Sequence, residues 1–280
     1  MGLEAVARLS KIALFLLLSL CPMMGTAQER RPFIELFRPL YLTSGLPLTE
    51  KPTKENADVK FQVGLEIPVW RDMCGSGVDL TVAYTQISLW NLYAESSPFY
   101  DNTYIPGVYG RKVWKDPESR PVHSLLWGLE HRSNGRDDAY SRSYNYAMVT
   151  YARTFSFGLT LEATARYGVG WYGDDFAWDL GTKYFGVLQG SLIYTTPGKG
   201  WEFMLSATPL WNRSIANVNV EAARRIGRRN NNPYLFVQFH YGYDEALRDW
   251  LKDSNGSLAP RAMLRFGLLL TPHNFMRGCL

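Results

Sequence analysis

From residue 38 onward the chain is a succession of alternating apolar and polar residues, in segments of about ten separated by turns. Leu159 to Val169 shows the pattern most cleanly: Leu159, Leu161, Ala163, Ala165, Tyr167 and Val169 alternate with Thr160, Glu162, Thr164 and Arg166. Lys60 to Ile67 sets Phe61, Val63, Leu65 and Ile67 against Lys60, Gln62, Gly64 and Glu66. Trp201 to Trp211 sets Trp201, Phe203, Leu205, Ala207 and Trp211 against Glu202, Ser206 and Thr208. Successive side chains of a strand point to opposite faces, so each segment is a strand with one apolar and one polar side. Pro39 to Ser44, Leu80 to Asn91, Thr103 to Val113, Val122 to Ser133, Tyr144 to Thr154, Thr182 to Thr195, Asn217 to Ile226, Tyr234 to Tyr243 and Met263 to Pro272 complete the set. The total is about twelve, an even number as bacterial membrane barrels require.

A helical membrane protein is excluded, because after Ala27 no apolar window approaches the roughly 20 residues a spanning helix needs. Aromatic residues make up 14% of the chain, and Tyr and Trp recur near the ends of the alternating runs. Apolar outside and polar inside, such a chain is expected to be all-β, a twelve-stranded antiparallel transmembrane β-barrel. A water-soluble sandwich would share the alternation. Short turns such as Thr196 to Gly200, long connections at Gly45 to Val59, Trp171 to Gly181 and Asp244 to Pro260, and Phe275 near the C-terminus favour the barrel.

The first 27 residues stand apart. Arg8 and Lys11 precede an apolar run, Ile12 to Leu20, and then the small residues Gly25-Thr26-Ala27; residues 1–27 are expected to be a secretory signal peptide and 28–280 one barrel domain. The net charge of +4 is spread out and no base-reading motif accompanies it, so no nucleic-acid partner is expected. Cys74 and Cys279 follow the signal segment, and nothing in the sequence fixes whether they pair. His123, His240 and His273 show no metal-ligand spacing and read as structural.

Chemistry concentrates between Glu130 and Asn145. His131 and Ser133 are two apart and share a strand face, and a hairpin return through Tyr144 to Thr154 brings Asn145 beside His131. A hydroxyl, an imidazole and an amide in a row outline a nucleophile, a general base and a group to orient the base. His131 has the parity of Leu125, Trp127 and Leu129, and Asn145 that of Ala147, Val149 and Tyr151, so all three groups should face outward, toward lipid. If the N-terminus is periplasmic, they stand at the external rim. Polar groups on a lipid-facing wall cost on the order of a kcal/mol or less near the interface, and more if deeper, which points to function. Gln86 shares the parity of Val82 and Tyr84 and should also face lipid unless another subunit covers it.

The His-x-Ser-Asn-Gly-Arg run at His131 to Arg136 and the Ser-Arg-Ser-aromatic-Asn run at Ser141 to Asn145 closely resemble the signature of the bacterial outer-membrane phospholipase A family. Tyr84-Thr85-Gln86, Glu95-Ser96-Ser97-Pro98-Phe99 and Thr182-Lys183-Tyr184 extend the likeness. The resemblance implies a calcium-dependent, dimeric, twelve-stranded barrel of the bacterial outer membrane that hydrolyses acyl esters of phospholipids in the outer leaflet. It implies Ser133 as nucleophile, His131 as general base, Asn145 as orienter and Gly135 as a backbone donor to the oxyanion. It assigns Ca2+ to the Arg136 carbonyl, the Ser141 hydroxyl and Ser96 of the partner subunit. Asp138, with Asp179 as its partner, would help hold a second calcium, and Gln86 would hydrogen-bond across the homodimer. Two other readings compete. A lipid A deacylase is a similar barrel that uses an acidic orienter where this chain has Asn145. A porin-like barrel would conduct ions, unless Lys60, Glu66, Glu162 and Arg166 pair and plug the interior.

Overall fold

The structure, a computed structural model, describes residues 33–118, 120–137, 141–169, 181–210, 215–227, 232–252, 258–271 and 273. The alternating segments form β1 (Tyr41–Pro47), β2 (Asp58–Trp70), β3 (Val78–Trp90), β4 (Phe99–Lys115), β5 (Pro121–Ser133), β6 (Ser143–Thr154), β7 (Leu159–Gly168), β8 (Leu188–Thr195), β9 (Trp201–Leu210), β10 (Ile215–Arg225), β11 (Tyr234–Gly242) and β12 (Arg261–Leu269). Each is antiparallel to its sequence neighbours. The sheet closes because β1 pairs with β12 on one side, Leu269 opposite Tyr41, and with β2 on the other, Tyr41 opposite Gln62. Closure leaves no strand edge unpaired, the condition for β-structure in a membrane. A further two-residue bridge, Glu35–Leu36, lies along β2 beyond the start of β1. On the spacing expectations, the seventh and ninth strands fall where the alternation placed them, within a residue or two.

Parity decides the two surfaces. Leu42, Leu46, Leu65, Ile67, Val82, Leu129, Val149, Leu161, Leu192, Leu205 and Phe266 stand exposed on the outer wall. Lys60, Glu66, Glu130, Arg132, Glu202, Glu221, His240 and Arg265 are buried inside it. Buried charges are tolerable only when paired. Arg265 grips Asp58 with two bonds of 2.8 and 2.7 Å and also reaches Glu245; Lys60 Nζ lies 2.6 Å from Glu245 and 3.1 Å from Gln238. Arg111 makes a bidentate pair with Glu66, at 2.9 and 2.8 Å. Burial alone would raise the Glu245 carboxyl, in the connection after β11, but Arg265, His240 and Lys60 outweigh it and hold that carboxyl well below the usual range. The segment before β1 also turns inward: Phe37 packs its ring 4.6 Å from Tyr109, and Arg38 reaches Glu130 across the lumen. Gly64 permits this, since a Cβ there would lie 2.8 Å from the Arg38 backbone nitrogen.

Several boundaries differ from the sequence expectation. The eighth strand begins at Leu188, not Thr182, because Gly181–Phe185 forms a single π-helical turn. There Tyr184 is fully buried against Tyr243 with its carbonyl held by Asn217 Nδ2, and Gly186, at φ 82°, redirects the chain into the strand. The first strand runs to Pro47 rather than Ser44, and β4 is longer at both ends than Thr103 to Val113, because pairing with neighbours carries strands past their alternating cores. The expected signal peptide, residues 1–27, and Trp211, Cys279 and Phe275 lie outside the described residues, while Cys74 is exposed in the turn 71–77. Among the described residues, 48–57, 91–98, 134–137, 141–142, 181–187, 243–252 and 258–260 lie at one end of the barrel, and 71–77, 116–118, 155–158, 196–200, 226–227 and 232–233 at the other.

Candidate active site

β5 and β6 form the hairpin expected of them, with His131 directly opposite Asn145 and Ser133 opposite Ser143. His131 Nδ1 lies 2.8 Å from Asn145 Oδ1. With the amide oxygen accepting, the proton sits on Nδ1 and Nε2 is left as a base. Glu130, Arg132, Tyr144 and Tyr146 are buried on the lumenal side. His131, Ser133 and Asn145 therefore occupy the outward positions between them, each only partly covered. Among the described residues no hydrogen bond joins Ser133 to His131; such contacts are often loose until substrate is bound.

The loop 134–142 follows directly. Asn134, almost fully buried, organises it: its backbone N–H donates to the Arg142 carbonyl at 3.0 Å, and its side-chain oxygen accepts from the backbone N–H of Arg142 at 3.0 Å and of Arg136 at 3.4 Å. Gly135 adopts φ 63°, a left-handed conformation, and a Cβ there would lie 2.5 Å from the Tyr104 ring, so both backbone and packing call for glycine. The Arg136 side chain is tied down by the Tyr100 carbonyl, 2.9 Å from Nη2, with Asp101 3.7 Å from Nε. Ser141 stands exposed at the far side of the same loop.

Gly135, Arg136 and Ser141 are thus brought into one small loop after the nucleophile candidate. Ser96 is not brought to them: it sits exposed at φ 62° in the separate loop 91–98, which is closed by the Asn91 N–H on the Pro98 carbonyl at 3.0 Å and by Trp90 Nε1 on the Ser97 carbonyl at 2.7 Å. Gln86 lies on the outer wall in a polar ladder, accepting from Tyr84 Oη at 3.0 Å and donating to Ser88 Oγ at 3.0 Å, while Ser88 reaches Asn102 at 2.7 Å. Asp138 and Asp179 lie outside the described residues. Two contributors were not foreseen from sequence. Asn134 carried a signal, since Asn before Gly commonly bonds the backbone of a turn. The place of Tyr104 against this loop is set by strand pairing, which puts it opposite Ser133.

The oxygen donors of this loop, a backbone carbonyl and a hydroxyl, suit a hard cation such as calcium, and among the described residues no group of three His, Cys, Asp or Glu offers a competing metal cluster.

A family model described as phospholipase A1 matches residues 43–257. The phospholipases A1 of Salmonella typhimurium and of Escherichia coli K12 are each 31% identical over 204 residues, which cover 70% of this chain and 67% of theirs. Among solved structures, the Salmonella typhi outer membrane phospholipase dimer with bound calcium superposes with a TM-score of 0.72 at 24% identity, covering 87% of this chain and 94% of that one. The outer membrane phospholipase A of Escherichia coli gives the same TM-score and identity, over 88% and 95%. At this identity the structural likenesses establish a shared fold.

Proposed function

The chain belongs to the phospholipase A1 family, and from that premise we propose that this phospholipid-hydrolysing barrel is a serine hydrolase using Ser133, His131 and Asn145, active as a calcium-dependent homodimer. The observation that carries the reading is the 2.8 Å contact between His131 Nδ1 and Asn145 Oδ1 on the lipid-facing wall, two residues from Ser133. Ser133 Oγ attacks the ester carbonyl as His131 Nε2 takes its proton. The lysophospholipid leaves with that proton, and water, deprotonated by the same imidazole, releases the fatty acid. Asn145 is neutral, so it fixes the tautomer of His131 without strongly stabilising the imidazolium. The backbone N–H of Gly135 is the donor for the oxyanion, a contribution typically worth about 100-fold or more in rate.

Calcium would be held by the Arg136 carbonyl, the Ser141 hydroxyl and Ser96 of the partner subunit, and when bound it would supply positive charge to stabilise the developing oxyanion. Asp138 and Asp179 are proposed for a second calcium. The exposed Ser96 loop and the outward ladder around Gln86 support the dimer, since a second barrel would cover both. The solved structures that share this fold are outer membrane phospholipases, which supports the proposal that this barrel lies in the outer membrane with its site facing the external leaflet, where substrate arrives sideways from the bilayer. Cleavage at either ester position is part of the proposal.

Against a porin, the lumen is crossed by Lys60–Glu245 and Arg111–Glu66 pairs and filled from one side by Phe37. Against a lipid A deacylase stands the amide of Asn145 where that reading needs a carboxylate. The test is fatty-acid release from phospholipid by purified protein in detergent, with and without chelator, comparing wild type with Ser133→Ala. Release that survives Ser133→Ala would refute the assignment.

A further inference from the structure

Behind the His131–Asn145 pair, on the lumenal face, lies a carboxylate that the reaction does not touch. Glu130 is buried and accepts hydrogen bonds from Tyr109 Oη at 2.9 Å, from Tyr146 Oη and from Arg38 Nη2. Tyr109 is on β4, Tyr146 on β6 and Glu130 on β5, so one carboxylate joins three consecutive strands. Its register is adjacent to the reacting groups: Glu130 pairs with Tyr146, and the next rung is His131 with Asn145.

The backbone shows why such a joint is needed there. Between β4 and β5 the ladder runs from Lys115–Pro121 to Gly107–Glu130 and resumes at Tyr104–Ser133. It is interrupted at Ile105 and Pro106, the positions facing Arg132 and His131. Proline has no N–H to donate, so the His131 carbonyl gains no backbone donor from β4 at that rung. With one ladder bond missing there, the position of His131 rests more heavily on β6 and on side chains.

We propose that Glu130 and Tyr146 are positioning residues for catalysis: their lumenal hydrogen bond, braced by Tyr109 and Arg38, holds β5 and β6 in the register and spacing that keep His131 against Asn145 on the opposite face. The proposal rests on the catalytic assignment above. It assigns the polar interior of this barrel a role in the chemistry of its exterior, transmitted through a single rung of sheet. Small misplacement of a reacting group is enough, since an error of about 1 Å can cost about 100-fold in rate.

The experiment uses full-length protein refolded in detergent, with folding checked by the heat-sensitive gel mobility of a closed barrel. Tyr146→Phe should lower kcat about 10- to 100-fold with KM within about two-fold, on the scale expected for misplacement. Tyr109→Phe, which loosens the same carboxylate from a strand without a reacting group, should cost less. Glu130→Gln keeps an acceptor and should fall between wild type and Glu130→Ala; if Glu130→Ala does not fold, Tyr146→Phe and Glu130→Gln still decide the question. In an Asn145→Ala background Tyr146→Phe should have no further effect on residual kcat, because the contact it positions is gone. An unchanged kcat in folded Tyr146→Phe, a change confined to KM, or the same fold-loss in the Asn145→Ala background would each overturn the proposal. If Ser133→Ala and Asn145→Ala themselves leave activity intact, the catalytic assignment fails instead, so the two failures are distinguishable.

Discussion

The two faces of the β5–β6 hairpin treat polar groups in opposite ways. On the lumenal face Glu130, Tyr146, Arg38 and Tyr109 satisfy one another almost completely, as do Asp58, Lys60, Glu245 and Arg265 further round the barrel. On the outer face His131, Ser133 and Asn145 stand among Leu129, Val149 and Tyr151 with one contact joining them, His131 to Asn145. A satisfied network rigidifies. A hydroxyl left without its base as a fixed partner is available to a substrate. On the proposed assignment the contrast is a division of labour, in which interior charge sets stiffness and a sparse row of exterior groups is left for chemistry.

That division can be broken from either side. Ser133→Ala should give the largest effect, a loss of about 10⁴-fold or more in fatty-acid release, with an unchanged barrel by gel mobility. Arg265→Met strips the partner from Asp58 and Glu245 and should destabilise folding by about 3–5 kcal/mol, read in a urea titration, while the folded fraction keeps its kcat. A fall in kcat there would blur the comparison, since Arg265 is remote from the reacting rung. Chelation of calcium should reduce hydrolysis by about 100-fold, the scale of losing charge stabilisation at an oxyanion, and added Ca2+ should restore it without altering gel mobility. Gln86→Leu should have the smallest effect, about 1 kcal/mol off dimer association by crosslinking yield, with the monomer still folded. Dimerisation unchanged by Gln86→Leu would mean that the outer ladder serves only its own barrel.

Strand parity made much of this legible. The alternation along 122–133 and 144–154 put His131, Ser133 and Asn145 on one side, and a local hairpin needs no distant partner to set their register. Gly135 was singled out through the family resemblance, whereas the part Asn134 plays in ordering the turn was not foreseen, although Asn before Gly is a local turn signal. The strand start at Thr182 was misread because alternation cannot distinguish a strand from Tyr184 and Phe185 inserting into the lumen, an outcome decided by Tyr243 and Asn217 far along the chain.

The sequence by itself determined the barrel, its two surfaces and the outward row of His131, Ser133 and Asn145, because a period of two and a short hairpin are local properties of the chain. Only the tertiary structure decided which interior charges meet. Arg265 reaches Asp58 across 207 residues because β1 closes on β12, and Arg38 reaches Glu130 across 92 because the segment before β1 turns into the lumen. Pairing of β4 with β5 sets Tyr104 beside Ser133 and Pro106 opposite His131. Beneath the proposed active row Tyr109 and Tyr146 therefore come from neighbouring strands, and only Arg38 is brought in from far along the chain, a contact no local pattern encodes.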